Sequence, residues 1–130
     1  MRCYFSSRKP GPPHEVADGT VTFVIPELKI TFRARYRGTR GACEYAGLLA
    51  LLEFVEINPK VFRNRALEIY GDSFTVVNQV NSRMMCRREL ESFRNMALIF
   101  KQRIPFTLDW VTPGANPAGT SLPDQQGSTG

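Results

Sequence analysis

KITFRARYRGTRGACEYAGLLALLEFVEI, residues 29–57, changes its hydrophobic period part-way along, and that change decides the fold class. From Lys29 to Arg37 the alternation is strict. Ile30, Phe32, Ala34 and Tyr36 fall on one face, and Lys29, Thr31, Arg33, Arg35 and Arg37 on the other. A period of two marks a half-buried strand. Gly38 to Gly41 breaks it. From Ala42 to about Ile57 the period is helical, with Tyr45, Leu48, Leu49, Leu52 and Val55 on one face. Asn58-Pro59 stops the helix, because the residue before a proline is pushed out of the helical region.

Upstream, Met1 to Phe5 reads as a short strand and RKPGPP, Arg8 to Pro13, as a loop. Thr20 to Ile25 is β-branched and aromatic, and Pro26-Glu27 is a turn, which completes a three-stranded antiparallel meander. Downstream, Ala66 to Tyr70 is a short apolar run, expected as a buried strand. Gly71-Asp72-Ser73 leads into a helix from about Phe74 to Val80. A longer helix is expected over Arg87 to Gln102, with Leu90, Phe93, Ala97, Leu98 and Phe100 inward, and a last strand over Phe106 to Val111. The order βββ-α-β-α-α-β predicts an α/β fold: a five-stranded mixed sheet, strands one to three antiparallel, with helices on its faces. Residues 1–120 are expected to form this domain. Residues 121–130, rich in polar and small side chains, are expected to be a disordered tail.

The chain has 130 residues, enough for one ordinary domain. A hydrophobic fraction of 42% with 22% charged residues excludes a disordered, collagenous or coiled-coil chain. The apolar stretch Ala46 to Val55 is too short to span a bilayer and contains Glu53, and MRCYFSSRKP has no apolar secretory core. Three widely spaced cysteines, Cys3, Cys43 and Cys86, and a single histidine, His14, fit neither a disulfide framework nor a zinc site. A reduced cytoplasmic protein is expected. The net charge of +5 suits a polyanionic partner.

Two acids stand out. Glu44 lies near the start of the first helix, in line with Leu48, Leu51 and Val55, so it points toward the sheet or its rim. Its ordinary explanation is the attraction between a helix N-terminus and a carboxylate. Asp72 leaves a buried strand and enters a helix, where ligand sites of α/β sheets lie. Its ordinary explanation is helix capping by Asp72 or Ser73.

Together with the element order, three blocks make the chain resemble the ribonuclease H-like superfamily, type 1 branch: ACEYAGLLALLEFV at 42–55, ALEIYGDSFTVVNQVN at 66–81 and FTLDWVTPGANPAG at 106–119. The middle block is the most specific. The resemblance implies cleavage of the RNA strand of an RNA–DNA hybrid by four carboxylates that hold two divalent metals. It places Glu44 and Asp72 at two of the four positions. At the other two it places Ser6, where an aspartate normally follows the first-strand Phe (or Cys3, counting back from the Pro10-Gly11-Pro12 loop), and Thr120, four residues after Asn116. None of these supplies charge. Glu44 and Asp72 are therefore expected to hold at most one weak Mg²⁺ or Mn²⁺, or none. Asp18, Asp109 and Asp124 are the remaining acids weighed as substitutes, and His14 reads as a surface loop residue.

The nucleic-acid contacts expected are Arg33, Arg35 and Arg37 on one strand face, Arg40 beyond them, and Asn78 and Gln79 after Asp72. Phosphate contacts of this kind give sequence-independent binding. The opposing explanation for the arginines is an edge strand charged against aggregation, and Arg83, Arg87 and Arg88 read as a solvated helix start. Cys43 and the Met84-Met85 pair read as packing. The expected function is a catalytically degenerate ribonuclease H-like domain that binds RNA–DNA hybrid or structured RNA. Two alternatives are an active metal-dependent hybrid ribonuclease with atypical ligands, and a scaffold or protein-interaction domain.

Overall fold

β1 (Arg2–Arg8) runs through the middle of the sheet and is hydrogen-bonded on both sides. It pairs antiparallel with β2 (Ala17–Ile25) and parallel with β4 (Leu67–Gly71). β3 (Ile30–Gly38) lies outside β2, antiparallel, and β5 (Phe106–Trp110) lies outside β4, parallel. The order is β3-β2-β1-β4-β5. The helices are α1 (Arg40–Ile57), α2 (Pro59–Phe62), α3 (Phe74–Val80), α4 (Glu91–Arg103) and α5 (Pro117–Thr120). The computed structural model describes residues 1–120, so the expected tail at 121–130 lies outside the described residues.

One sheet face is covered by α1, which packs across β1, β2 and β3, while α4 lies against α1. The core is the meeting of these apolar faces: Cys3, Phe5, Phe23 and Ile69 from the sheet, and Leu48, Leu51, Leu52 and Val55 from α1, all almost inaccessible to water. Burying a side chain of this size stabilises the fold by about 1.5–3 kcal/mol. The polar groups around Gln79 are paired, as buried polar groups usually are, whereas the buried Thr22 hydroxyl makes no hydrogen bond. Tyr45 Oη donates to Gln79 Oε1 at 2.7 Å, and Cys86 Sγ donates to the same oxygen at 3.6 Å. No helix among the described residues is long and apolar enough to cross a membrane.

Several boundaries differ from the sequence expectation. β1 continues through Ser6 and Ser7 to Arg8 because β2 pairs with it along that length, at Ser6–Thr22, Ser7–Val21 and Arg8–Thr20. Strand pairing overrides the weak strand preference of serine. α1 starts at Arg40 because Thr39 caps it, its Oγ1 accepting from the Ala42 N–H at 3.3 Å. The segment before α4 is a tighter turn over Arg88–Leu90, so the α-helix begins at Glu91.

Candidate nucleic-acid and metal site

The strands β1 and β4 both end where α1 begins, and Ser6, Asp72 and Glu44 are brought together there. They line one cleft of about 400 Å³. Ser6 Oγ donates to Asp72 Oδ2 at 2.9 Å. The helix beyond Asp72 is capped by Ser73, whose Oγ accepts from the Val76 N–H at 3.1 Å. The capping explanation of Gly-Asp-Ser therefore falls on Ser73 and leaves the Asp72 carboxylate facing the cleft. The dipole explanation of Glu44 also weakens. With the helix starting at Arg40, no acid lies in its first turn, and the dipole effect fades beyond that turn. Glu44 instead ends the buried stripe of Leu48, Leu51 and Val55, with its side chain 17% exposed and 3.5 Å from Arg40.

Both carboxyls are perturbed. Burial pushes Glu44 above the usual carboxylate range, repulsion from Asp72 adds to this, and Ser73 and Arg40 pull it back. Burial likewise pushes Asp72 up, against hydrogen bonds from Ser6 and Asn116 and the charge of Arg8. A raised folded-state pKa means that the folded chain holds the proton more tightly than the unfolded chain. The resulting stability is full below the ordinary carboxylate range and is lost as pH rises through the raised values. Glu44→Gln and Asp72→Asn should each raise the melting temperature at neutral pH by a few degrees. They should also flatten its dependence on pH between neutrality and the usual carboxylate range. Thermal scans of native and variant across that window check this; variants less stable than native at neutral pH would contradict it.

Gly119 on α5 stands beside Asp72 and Ser6, one step before the Thr120 selected by residue counting. A Cβ at Gly119 would lie 3.4 Å from Asp72 Oδ2 and 3.5 Å from Ser6 Oγ. Two anchors hold this segment: Asn116 Nδ2 donates to the Phe5 carbonyl at 2.8 Å, and Ala118 is fully buried. The backbone of Thr120 ends α5, and its side chain lies outside the described residues.

The residues present do not fit a two-metal centre. Two divalent ions need charge from more than two carboxylates, whereas Ser6 is a neutral donor and Gly119 has no side chain. Among the described residues no group of three or more His, Cys, Asp and Glu side chains is placed to hold an ion. Asp18 is engaged elsewhere, 3.3 Å from Arg37. Asp109 is exposed on β5, opposite Tyr70 in the register. Asp124 lies outside the described residues.

The basic residues divide. Arg33 and Arg35 are exposed on the sheet face opposite α1, in register with Ser6 and Arg8 across β2: Ser6–Thr22–Arg33 and Arg8–Thr20–Arg35. Arg37 pairs with Asp18 and Arg40 with Glu44. Asn78 is half-buried and donates to the Phe74 carbonyl at 2.7 Å. Gln79 corrects the expectation. It is 2% exposed and spends its amide oxygen on Tyr45, so it faces the core rather than a ligand.

Sequence reasoning missed several residues at the cleft. Arg8 and Lys9 line its wall beside Ser6. His14, read as a plain loop residue, stands at the adjoining part of the cleft with Arg87. Phe74 and Trp110 form an edge-to-face pair on its rim, 56% and 42% exposed, and Trp110 Nε1 donates to the Asp72 carbonyl at 3.3 Å. The local signal for Arg8 was its position two residues beyond Ser6 on the same strand face.

No family model matches the sequence, and no curated protein matches it. Solved structures do. LC11-RNase H1, isolated from compost by a metagenomic approach, superposes with a TM-score of 0.79 at 15% identity, over 95% of this chain and 92% of that one. The same enzyme in complex with an RNA/DNA hybrid gives 0.77 at 15% identity, over 95% and 94%. RNase H1 from the halophilic archaeon Halobacterium salinarum NRC-1 gives 0.74 at 20% identity, over 95% and 94%. Identities this low speak to architecture alone, and the superpositions run over nearly the whole of this chain. The chain therefore has the type 1 ribonuclease H fold.

Proposed function

We infer that this protein binds RNA–DNA hybrid or structured RNA without cleaving it. The observation that carries this reading is the pair of residues beside Asp72: Ser6 at 2.9 Å and the side-chain-free Gly119. Without acids at those places, metal charge is not held on both the attacking and the leaving oxygen of a phosphodiester. Binding draws on a different set of residues. Arg33 and Arg35 extend the positive surface from Arg8 across the sheet. Arg40 marks the start of α1, and the exposed part of Asn78 adds a polar contact. A solved structure of this fold holds an RNA/DNA hybrid. Three unpaired thiols suit a reducing compartment, and we place the protein in the cytoplasm.

The test is a labelled hybrid, followed for cleavage and for binding. With Mg²⁺ or Mn²⁺ the native chain should release no product. Its affinity should fall linearly in log–log form with salt, by about 0.9 per phosphate neutralised on a B-form scale. Replacing Arg33 and Arg35 together by alanine should weaken binding and reduce that slope. Cleavage abolished by Glu44→Gln would establish the active-enzyme alternative. Absence of binding at low salt would leave the protein-interaction alternative.

A further inference from the structure

The place that holds metal in an active ribonuclease H is here ringed by cations of the chain itself. Arg8, Lys9 and Arg40 line the same cleft as Glu44 and Asp72, three cations against two carboxylates. The loop between β1 and β2 holds them together. Lys9 Nζ donates to the carbonyls of Pro10 and Pro12, each at 2.7 Å. The Arg40 N–H donates to the Pro13 carbonyl at 2.9 Å, which ties the loop to the start of α1. One guanidinium nitrogen of Arg8 donates to the Gly119 carbonyl at 3.2 Å.

These partners matter for charge. Arg8 and Lys9 are anchored by neutral carbonyls, so anchoring does not cancel them. Among the described residues neither joins an ion pair. Each also keeps donors in reserve, since a guanidinium carries five N–H groups and an ammonium three. Arg40 spends its Nε on Glu44 at 3.5 Å. Ser6, at the floor, donates to Asp72 and so keeps that carboxylate oxygen from facing an incoming anion unpaired.

The geometry points to a metal-independent phosphate cradle, in which Arg8, Lys9 and Arg40 hold a phosphodiester of the bound polynucleotide in place of divalent ions. Arginine suits this task because its planar fork matches two phosphate oxygens. The N-terminal end of α1, an 18-residue helix, adds its positive dipole at Arg40. This inference rests on the nucleic-acid-binding reading above and assigns a second contact region, in the cleft beside α1, which adjoins the Arg33–Arg35 face at Arg8.

Hybrid binding by fluorescence anisotropy, in EDTA and in Mg²⁺, tests it with the full chain. Native affinity should agree within about twofold in the two buffers. The Arg8→Gln, Arg40→Gln variant should bind about tenfold or more weakly, as expected for lost charge-assisted hydrogen bonds. Circular dichroism of the variant checks that it is folded; Lys9→Gln, whose change lies in the loop, is the second variant if it is not. A separate arm uses inorganic phosphate, which should raise the melting temperature of the native chain and not of the arginine variant. Binding lost in EDTA overturns the cradle, because a metal then holds the phosphate. Native-like binding by both variants, with loss in the Arg33 and Arg35 variant, overturns the cradle and leaves hybrid binding standing. A phosphate response without any hybrid binding keeps the cradle as an anion site and overturns the nucleic-acid reading.

Discussion

A Ser6→Asp, Gly119→Asp double variant should cleave the RNA strand of an RNA–DNA hybrid in Mn²⁺, where the native chain releases no product. The geometry allows both changes. Ser6 Oγ already lies 2.9 Å from Asp72 Oδ2. A Cβ at Gly119 would sit at ordinary contact distance from the same carboxylate, and Gly119 does not have the positive φ that would penalise a side chain. Together with Glu44 and Asp72 the variant would present four carboxylates, the charge that two divalent ions require. Lewis-acid stabilisation is worth several kcal/mol, so the gain over the native background should be on the order of 10³-fold. Metal-free, the variant should be less stable than the native chain, because like charges crowd an already part-buried site. Mg²⁺ should restore it, by about 2.7 kcal/mol at a hundredfold excess over its dissociation constant. Thr120→Asp in place of Gly119→Asp should give less, since the contact to Asp72 is made at Gly119. A variant that is folded, binds Mg²⁺ and still does not cleave would show that more than two side chains separate this chain from catalysis.

The architecture was legible where burial is one-sided. The alternation in β3 and the helical stripe of α1 each have one face toward the core, and their spacing survives in the structure. Glu44 was legible for the same reason, as an acid in line with that stripe. The end of β1 was not, because Ser6, Ser7 and Arg8 are polar residues held in a strand by partners distant in sequence. Gln79 was misread because α3 is seven residues long, too short for its buried side of Val76, Val77, Gln79 and Val80 to stand out as a period.

Gly119 was invisible for a chemical reason: a residue without a side chain is never nominated as part of a site. It becomes apparent through its neighbours, where Asn116 reaches the Phe5 carbonyl and Ala118 is fully buried. Lys9, next to Arg8 at the end of β1, was likewise hidden in a proline-rich loop whose tie to α1 is a backbone hydrogen bond from Arg40 to Pro13.

Gly71→Ala should be the most damaging single-methyl change in the sheet, and through it the site should lose its shape. Gly71 pairs with Phe5 in the β1–β4 register, and an added Cβ would clash with the far end of the Phe5 ring, at Cζ, Cε1 and Cε2. The ring has nowhere to go. Phe5 is 1% exposed and packed beneath α1, whose Gly47 approaches its Cβ and ring edge. Overpacking of this kind costs about 2–3 kcal/mol, a drop of roughly 10 °C in melting temperature for a chain of this size. The cause can be isolated by Phe5→Leu, which removes the ring and has its own packing cost. In that background Gly71→Ala should cost far less, a coupling expected for two groups in direct contact. Additive costs would show that backbone strain at Gly71, and not the ring, sets the penalty. The functional consequence follows from chain order, because Asp72 is the next residue and Ser6 follows Phe5. If β4 moves away from β1 to admit the methyl, the Ser6–Asp72 hydrogen bond of 2.9 Å lengthens. Hybrid affinity, measured well below the variant's melting temperature, should then weaken in Gly71→Ala and recover in the Phe5→Leu, Gly71→Ala pair. The glycine that ends β4 thus serves packing and site geometry through one contact.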